Sequence, residues 1–265
     1  MKILKNIIDL KKAIIKNDNL GFVPTMGGLH KGHISLIKKS KKKCNKTLIS
    51  IYINPKQFNN LIDFKNYPKS IKKDLNKLRK LKVDYVFLPT TKDINSKSSY
   101  KKIIISQNHQ VLCAKNRKGH FEGVLEIMDR FLDLIKPKYV FLGEKDFQQL
   151  FLIKKYLGKK YNTQIQPCKT IRDKNFIALS TRNFLLSKKE LKIVSIIAKK
   201  IYYFKKKKIF FKKINILKND LKKFNIKIDY LEVRNEFNLQ TYTKKNKFRI
   251  FIAYYINNIR LIDNF

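Results

Sequence analysis

Short apolar runs alternate with helix-patterned stretches over residues 1–170, and few folds accommodate that order. Leu20 to Val23, Leu48 to Ile53, Tyr85 to Leu88, Ile103 to Ser106 and Tyr139 to Leu142 read as buried strands. Between strands, Val124, Ile127, Met128, Phe131, Leu134 and Ile135 recur at three- and four-residue spacing and mark one apolar face of a helix over 122–136. Pro137 stops that helix, and Tyr139 starts the next strand. A lysine-rich helix is expected over 69–82, with Ile71, Leu75 and Leu78 on one face. Strands alternating with helices call for a parallel sheet covered on both faces, an α/β arrangement.

After about residue 170 the order changes. Helical stretches over 188–206 and 212–224 precede strand-like runs at Tyr230 to Val233, Arg249 to Ile256 and Ile259 to Ile262. Asn257-Asn258 separates the last two runs, and asparagine tolerates the left-handed backbone of a tight hairpin turn. The expected organisation is a parallel-sheet domain over 1–170 and a smaller α+β domain over 171–265. The run Lys205 to Lys208 reads as a solvated helix end.

Lys plus Arg is 61 and Asp plus Glu is 19, a net charge of +42. The lysines are spread along the chain among Ile, Asn, Phe and Tyr, residue types with AT-rich codons, so the charge reads mainly as compositional drift. It favours anionic substrates and permits non-specific contact with nucleic acid. Hydrophobic residues at 43% recur from end to end and exclude whole-chain disorder. Cys44, Cys113 and Cys168 lie far apart with no C-x-x-C pair, which fits reduced thiols and a cytoplasmic setting. Asp9, Lys11 and Lys12 interrupt the N-terminal apolar residues, so no signal peptide is expected. No stretch approaches the ~20 apolar residues of a membrane span.

Chemistry concentrates in a few segments. Residues 24–33, PTMGGLHKGH, follow a strand and precede the helical run from Ile34 to Ile37. Gly27, Gly28 and Gly32 permit a tight turn and close approach to a ligand. A helix N-terminus there offers N–H groups to phosphate, and one helical turn can aim His30 and His33 at one point. No Cys or acidic ligand stands beside the pair at zinc-binding spacing. Gln57, in NPKQF, follows the second strand run, and its amide suits a hydroxy acid. In GEKDFQQ, Lys145 suits phosphate, Asp146 suits ribose hydroxyls, and Gln149 lies on the same side of a helix as Asp146. In LSTRN, Ser180 and Thr181 place hydroxyls beside the Arg182 guanidinium, a set that can hold a triphosphate. Asp74 is a single carboxylate on a helix, too little for a metal site. His120, in GHFEG, reads at least as readily as a loop-positioning residue as a substrate contact, and His109 carries no firmer role.

The H-x-G-H element resembles that of the Rossmann-like nucleotidylyltransferase superfamily. The longer string, followed in order by SIYINPKQF, NYP, VDYVFLP, LCAKNRKGHFEGV, FLGEKDFQQL, LSTRN, DYLEV and RLIDN, resembles the pantothenate synthetase family over almost the whole chain. The resemblance implies a Rossmann-like domain binding nucleotide and pantoate, and a C-terminal domain closing over the ATP site. It implies an AMP-forming ligase that joins (R)-pantoate to β-alanine through a pantoyl adenylate, with ATP and Mg²⁺, as a homodimer.

By the same resemblance, Met26, Gly27, Gly28, His30, Gly32, His33, Gly143, Glu144, Lys145, Asp146, Ile171, Leu179, Ser180, Thr181 and Arg182 bind ATP. His30, His33, Lys145 and Arg182 are the expected catalytic groups, and Gln57 and Gln149 bind pantoate near the β-alanine site. Thr181 stands where a second serine is usual, Gly28 where alanine is common, and Lys31 where an acid is common. Two other readings stand beside this one: a different H-x-G-H nucleotidylyltransferase, or a basic nucleic-acid-binding protein.

Overall fold

Six parallel strands form the larger sheet and three antiparallel strands the smaller, in a computed structural model that describes residues 1–58, 61–95, 103–206, 213–243 and 247–265. The chain runs β1 (Lys2–Leu4), α1 (Ile7–Ile14), β2 (Leu20–Thr25), α2 (Lys31–Lys43), β3 (Lys46–Ile51), α3 (Leu61–Lys65) and α4 (Ile71–Lys80). Next come β4 (Tyr85–Phe87), α5 (Thr91–Ile94), α6 (Cys113–Asn116), α7 (His120–Ile135), β5 (Tyr139–Gly143), α8 (Phe147–Leu157) and β6 (Gln164–Cys168). Then follow α9 (Lys188–Lys206), α10 (Ile214–Lys222), β7 (Lys227–Asn235), β8 (Phe248–Ile256) and β9 (Ile259–Asn264). The α/β architecture with a smaller α+β part is therefore present. Two compact units emerge. The first holds Met1–Ile104, Gly119–Glu144 and Gln149–Thr170; the second holds Ile105–Lys118, Lys145–Gln148 and Ile171–Phe265.

In the first unit the strand order is β1-β4-β3-β2-β5-β6. Val23, Ile37, Ile49, Leu78 and Val86 pack on one face of the sheet, under α2 and α4. Phe22 points the other way and meets Phe131 of α7 edge-on, with ring centroids 5.5 Å apart. Alternation along β2 thus supplies both layers. The C-terminal ends of β2 and β5 lie side by side where the order of strands reverses, the place where such sheets open a ligand crevice.

Sequence patterning locates most of these elements, and the exceptions have physical reasons. Ile103 to Ser106 forms no strand: Ile104 is 78% exposed, and Ser106 instead precedes a short 3₁₀ turn over Gln107–His109. Ile71 is 54% exposed rather than inward; its helix turns Asp74, only 2% exposed, toward the protein. Three elements lie outside those expectations. β1 has three residues, α1 starts at an Asn6 cap and buries Leu10, and β6, Gln164–Cys168, is an edge strand that tolerates Pro167. Residues 207–212 lie outside the described residues, and with them Lys207, Lys208 and the start of the expected 212–224 helix.

In the second unit, Val194, Ile197 and Ile201 of α9 and Leu217 and Leu221 of α10 pack on Leu231, Ile250 and Ile252 of the sheet. The expected hairpin is present: Ile256 pairs with Ile259, and Asn257 adopts φ +51°. A bulge in β7 lies between Ile228 and Tyr230, at Asp229. The Arg172 guanidinium grips Asp263 with two bonds of 2.7 and 2.9 Å, donates to the Phe176 and Asn264 carbonyls, and stacks 4.2 Å from the Phe265 ring centroid. This cluster ties the 171–178 segment to β9. Asp263→Asn should cost about 1.5–3 kcal/mol, the usual worth of hydrogen bonds to a charged group. Urea denaturation reads that loss, and an unchanged midpoint would show that the ion pair contributes nothing.

Candidate functional site

The glycine-rich turn after β2 is held from below. The Asp74 carboxylate accepts the Gly28 N–H at 2.8 Å and the Leu29 N–H at 2.9 Å. One turn further along α4, Lys77 Nζ donates to the Leu29 carbonyl. Thr25 Oγ1 donates to the Ser50 carbonyl at 2.8 Å and accepts the Gly27 N–H at 3.2 Å. The path requires φ +81° at Gly27 and +62° at Gly28, a region that side chains disfavour. A Cβ on Gly27 would also stand 3.1 Å from Asp74 Oδ2 and 3.2 Å from Ile51 Cγ2.

His30 caps α2, and the two imidazoles brace each other's backbone. His30 Nδ1 accepts the Gly32 N–H at 3.1 Å, and His33 Nδ1 accepts the His30 N–H at 3.3 Å. Their ring centroids lie 4.2 Å apart. A ring nitrogen that accepts from an amide carries no proton, so each neutral imidazole bears its proton on Nε2. The N–H groups of Gly27, Gly28, Leu29, His30 and Gly32 are thus engaged by the turn's own side chains or by Asp74 of α4, where the glycine-rich sequence alone implied donors for phosphate. The Nδ1 atom of each ring is committed to the backbone at the start of α2.

The loop after β3 is held by the start of α7. Asn54, 6% exposed, donates to the Gly123 carbonyl at 3.0 Å and accepts the Lys56 N–H at 3.1 Å. His120 Nδ1 lies 2.7 Å from the Gln57 carbonyl, which can only accept, so that nitrogen carries a proton. Gly123 allows the loop to approach: a Cβ there would stand 2.7 Å from the Lys56 carbonyl oxygen. Gln57 is half-buried in this loop, and Gln149 is half-buried in the first turn of α8. β3 and β5 flank β2, so the loops carrying His30, Gln57 and Gly143 leave the same edge of the first unit.

The second unit carries the other expected residues in two short segments. Ile171 and Leu179 are joined by a backbone bond of 3.0 Å, and Ser180 Oγ accepts the Arg182 N–H at 3.3 Å. Thr181 is buried at 5% exposure. Lys145 Nζ stands 3.3 Å from Asp146 Oδ1 in a 3₁₀ turn over Glu144–Asp146. Of the two adjacent glutamines, Gln148 is structural: its amide accepts the Cys113 N–H at 3.0 Å and donates to the Val111 carbonyl at 2.7 Å.

Sequence reasoning passed over Asp74, Asn54 and Gly123 as supports of the site. Asp74 in particular interrupts the apolar face of α4, and a buried acid on such a face signals a polar partner. Asp74→Ala leaves two backbone N–H groups without their acceptor and should destabilise the protein by about 1–3 kcal/mol. Chemical denaturation measures this, and wild-type stability would show that the turn holds itself.

The family model described as pantoate-beta-alanine ligase matches residues 2–265. A pantothenate synthetase of Francisella tularensis subsp. novicida is 37% identical over 264 residues, 99% of this chain and 95% of the relative. One from Ruthia magnifica is 40% identical over 251 residues, 92% of this chain and 90% of the relative. Among solved structures, the pantoate-beta-alanine ligase of Francisella tularensis complexed with beta-gamma ATP and beta-alanine superposes with a TM-score of 0.87 at 36% identity, covering 100% of this chain and 97% of the other. The pantothenate synthetase of Thermus thermophilus shares the fold, with a TM-score of 0.91 at 24% identity and coverage of 100% and 99%.

Proposed function

The chain belongs to the pantoate-beta-alanine ligase family, and on that premise we propose how its own residues carry the reaction. The activity is that of an AMP-forming ligase: ATP, pantoate and β-alanine give pantothenate, AMP and pyrophosphate. The family match over residues 2–265 carries this reading and favours neither of the other two.

A pantoate carboxylate oxygen attacks the α-phosphorus of ATP, and the bond to the leaving pyrophosphate breaks. The β-alanine amine then attacks the carbonyl carbon of the pantoyl adenylate. A C–N bond forms, AMP departs with the C–O electron pair, and the amine loses a proton. No protein nucleophile is needed. Catalysis rests on alignment and on neutralising phosphate charge.

His30 and His33 would donate from Nε2–H to phosphate oxygens. Lys145 and Arg182 would offset the charge that builds as pyrophosphate leaves. Met26, Gly27, Gly28 and Gly32 would let the phosphates approach the turn, with Ser180 and Thr181 adding hydroxyl donors. Gly143, Glu144 and Asp146 would line the nucleoside, and Ile171 and Leu179 would meet adenine through their backbone. Gln57 and Gln149 would hold pantoate beside β-alanine. Mg²⁺ would arrive with ATP, bound chiefly by phosphate oxygens and water. Among the described residues no helix is long and apolar enough to cross a membrane. A cytoplasmic homodimer is the form proposed, in keeping with three free cysteines.

Purified protein with MgATP should release AMP and pantothenate only when pantoate and β-alanine are both present. ADP as the nucleotide product would sink the adenylate route. Gln57→Ala and Gln149→Ala should each weaken pantoate use by about 1–3 kcal/mol, because substrate polar groups lose a partner, and should leave ATP binding nearly unchanged. Separate titrations of the two substrates decide it; a collapse of ATP affinity with normal pantoate binding would move these glutamines out of the acid pocket.

A further inference from the structure

The Lys145 carbonyl oxygen accepts a hydrogen bond of 2.8 Å from Nδ2 of Asn264, at the end of β9 and 119 residues away in sequence. Asn264 is 4% exposed. Its Oδ1 accepts from Arg249 Nη1 at 2.7 Å. A guanidinium only donates and a carbonyl only accepts, so these two partners fix which way the Asn264 amide faces. Arg249 is braced in turn. Its Nε donates to Glu236 at 3.2 Å, and its guanidinium carbon lies 4.2 Å from the ring centroid of Phe147. Phe147 rests against Phe251, with centroids 5.9 Å apart. Arg249 therefore holds residue 147 by stacking and residue 145 through Asn264, on either side of Asp146.

We propose that Asn264 is a positioning residue for Lys145, fixing the backbone from which the ammonium reaches the nucleotide phosphates. The proposal rests on the reading above that Lys145 neutralises phosphate charge. A lysine carries its charge on a flexible four-carbon stem, so the location of its Cα decides what the ammonium can reach. Electrostatic stabilisation is strongest when the charge stands in place before the reaction begins. A buried amide with both ends matched to fixed partners supplies that placement, and a merely space-filling residue there would need neither end.

Asn264→Asp tests the idea, because it keeps an acceptor for Arg249 and removes the N–H that holds the Lys145 carbonyl. In the intact enzyme, kcat for pantoate-dependent pyrophosphate release should fall about 10–100-fold, the scale of a small misplacement of a catalytic group. The pantoate KM should stay within about threefold, since ground-state binding of the acid is not touched. The same change in a Lys145→Ala background should alter kcat by less than about twofold, because residues that act through one another are not additive. Wild-type kcat in folded Asn264→Asp, or a full additional loss in the Lys145→Ala background, would overturn the positioning role while leaving Lys145 in the mechanism. Normal kcat in Lys145→Ala would instead remove the underlying reading and the proposal with it. Thermal unfolding checks that each variant is folded, and Asn264→Ala enters the same cycle if the aspartate variant is not.

Discussion

The bonds from Asp74 to the Gly28 and Leu29 amides set the path of the chain from β2 into α2. Two successive glycines with positive φ make that path possible but do not select it, because glycine is equally free to take others. The selection comes from a carboxylate on a neighbouring helix, 2% exposed, whose two oxygens each receive a donor. Once the turn is held, His30 falls at the helix cap and His33 one turn inside, and each imidazole bonds the backbone through Nδ1. The tautomer of both rings is therefore a consequence of how the turn is closed.

The same device recurs in the second unit. Arg172 with Asp263 ties the 171–178 segment to β9, Arg249 with Asn264 ties β8 to β9, and Arg260 with the bulged Asp229 ties β9 to β7. Arg260 also lies 3.5 Å from Cys113 Sγ, which the Tyr230 hydroxyl meets at 3.0 Å. Burial raises the Tyr230 pKa far above its ordinary value, so the phenol stays protonated there. These groups carry little hydrophobic stabilisation. Their partners must be found once they are buried, and so they fix how neighbouring segments sit.

The charge imbalance has a structural side. With 61 basic and 19 acidic residues, acids are scarce. Asp74 serves backbone amides, while Asp229, Asp263 and Glu236 each hold an arginine of the second unit. Asp129, 2% exposed, receives Lys160 and the Tyr161 hydroxyl at 2.7 Å each. The surplus lysines add attraction for anions, screened beyond roughly 10 Å at ordinary salt.

By itself the sequence determined the order and kind of most elements, the hairpin at Asn257, the turn that carries both histidines, and a string of motifs specific enough to identify the family. Those features are local: apolar period, glycine and proline placement, and short-range spacing are read within a dozen residues. Only the tertiary structure decided that Asp74 faces inward where Ile71 does not, that Ile103 to Ser106 finds no strand partner, and that Asn264 reaches Lys145. The bonds concerned join residues 46 apart for Gly28 and Asp74, 91 for Arg172 and Asp263, and 119 for Lys145 and Asn264. A buried polar side chain must find its complement among whatever groups sheet order and register bring beside it, and no periodicity along the chain encodes that neighbour.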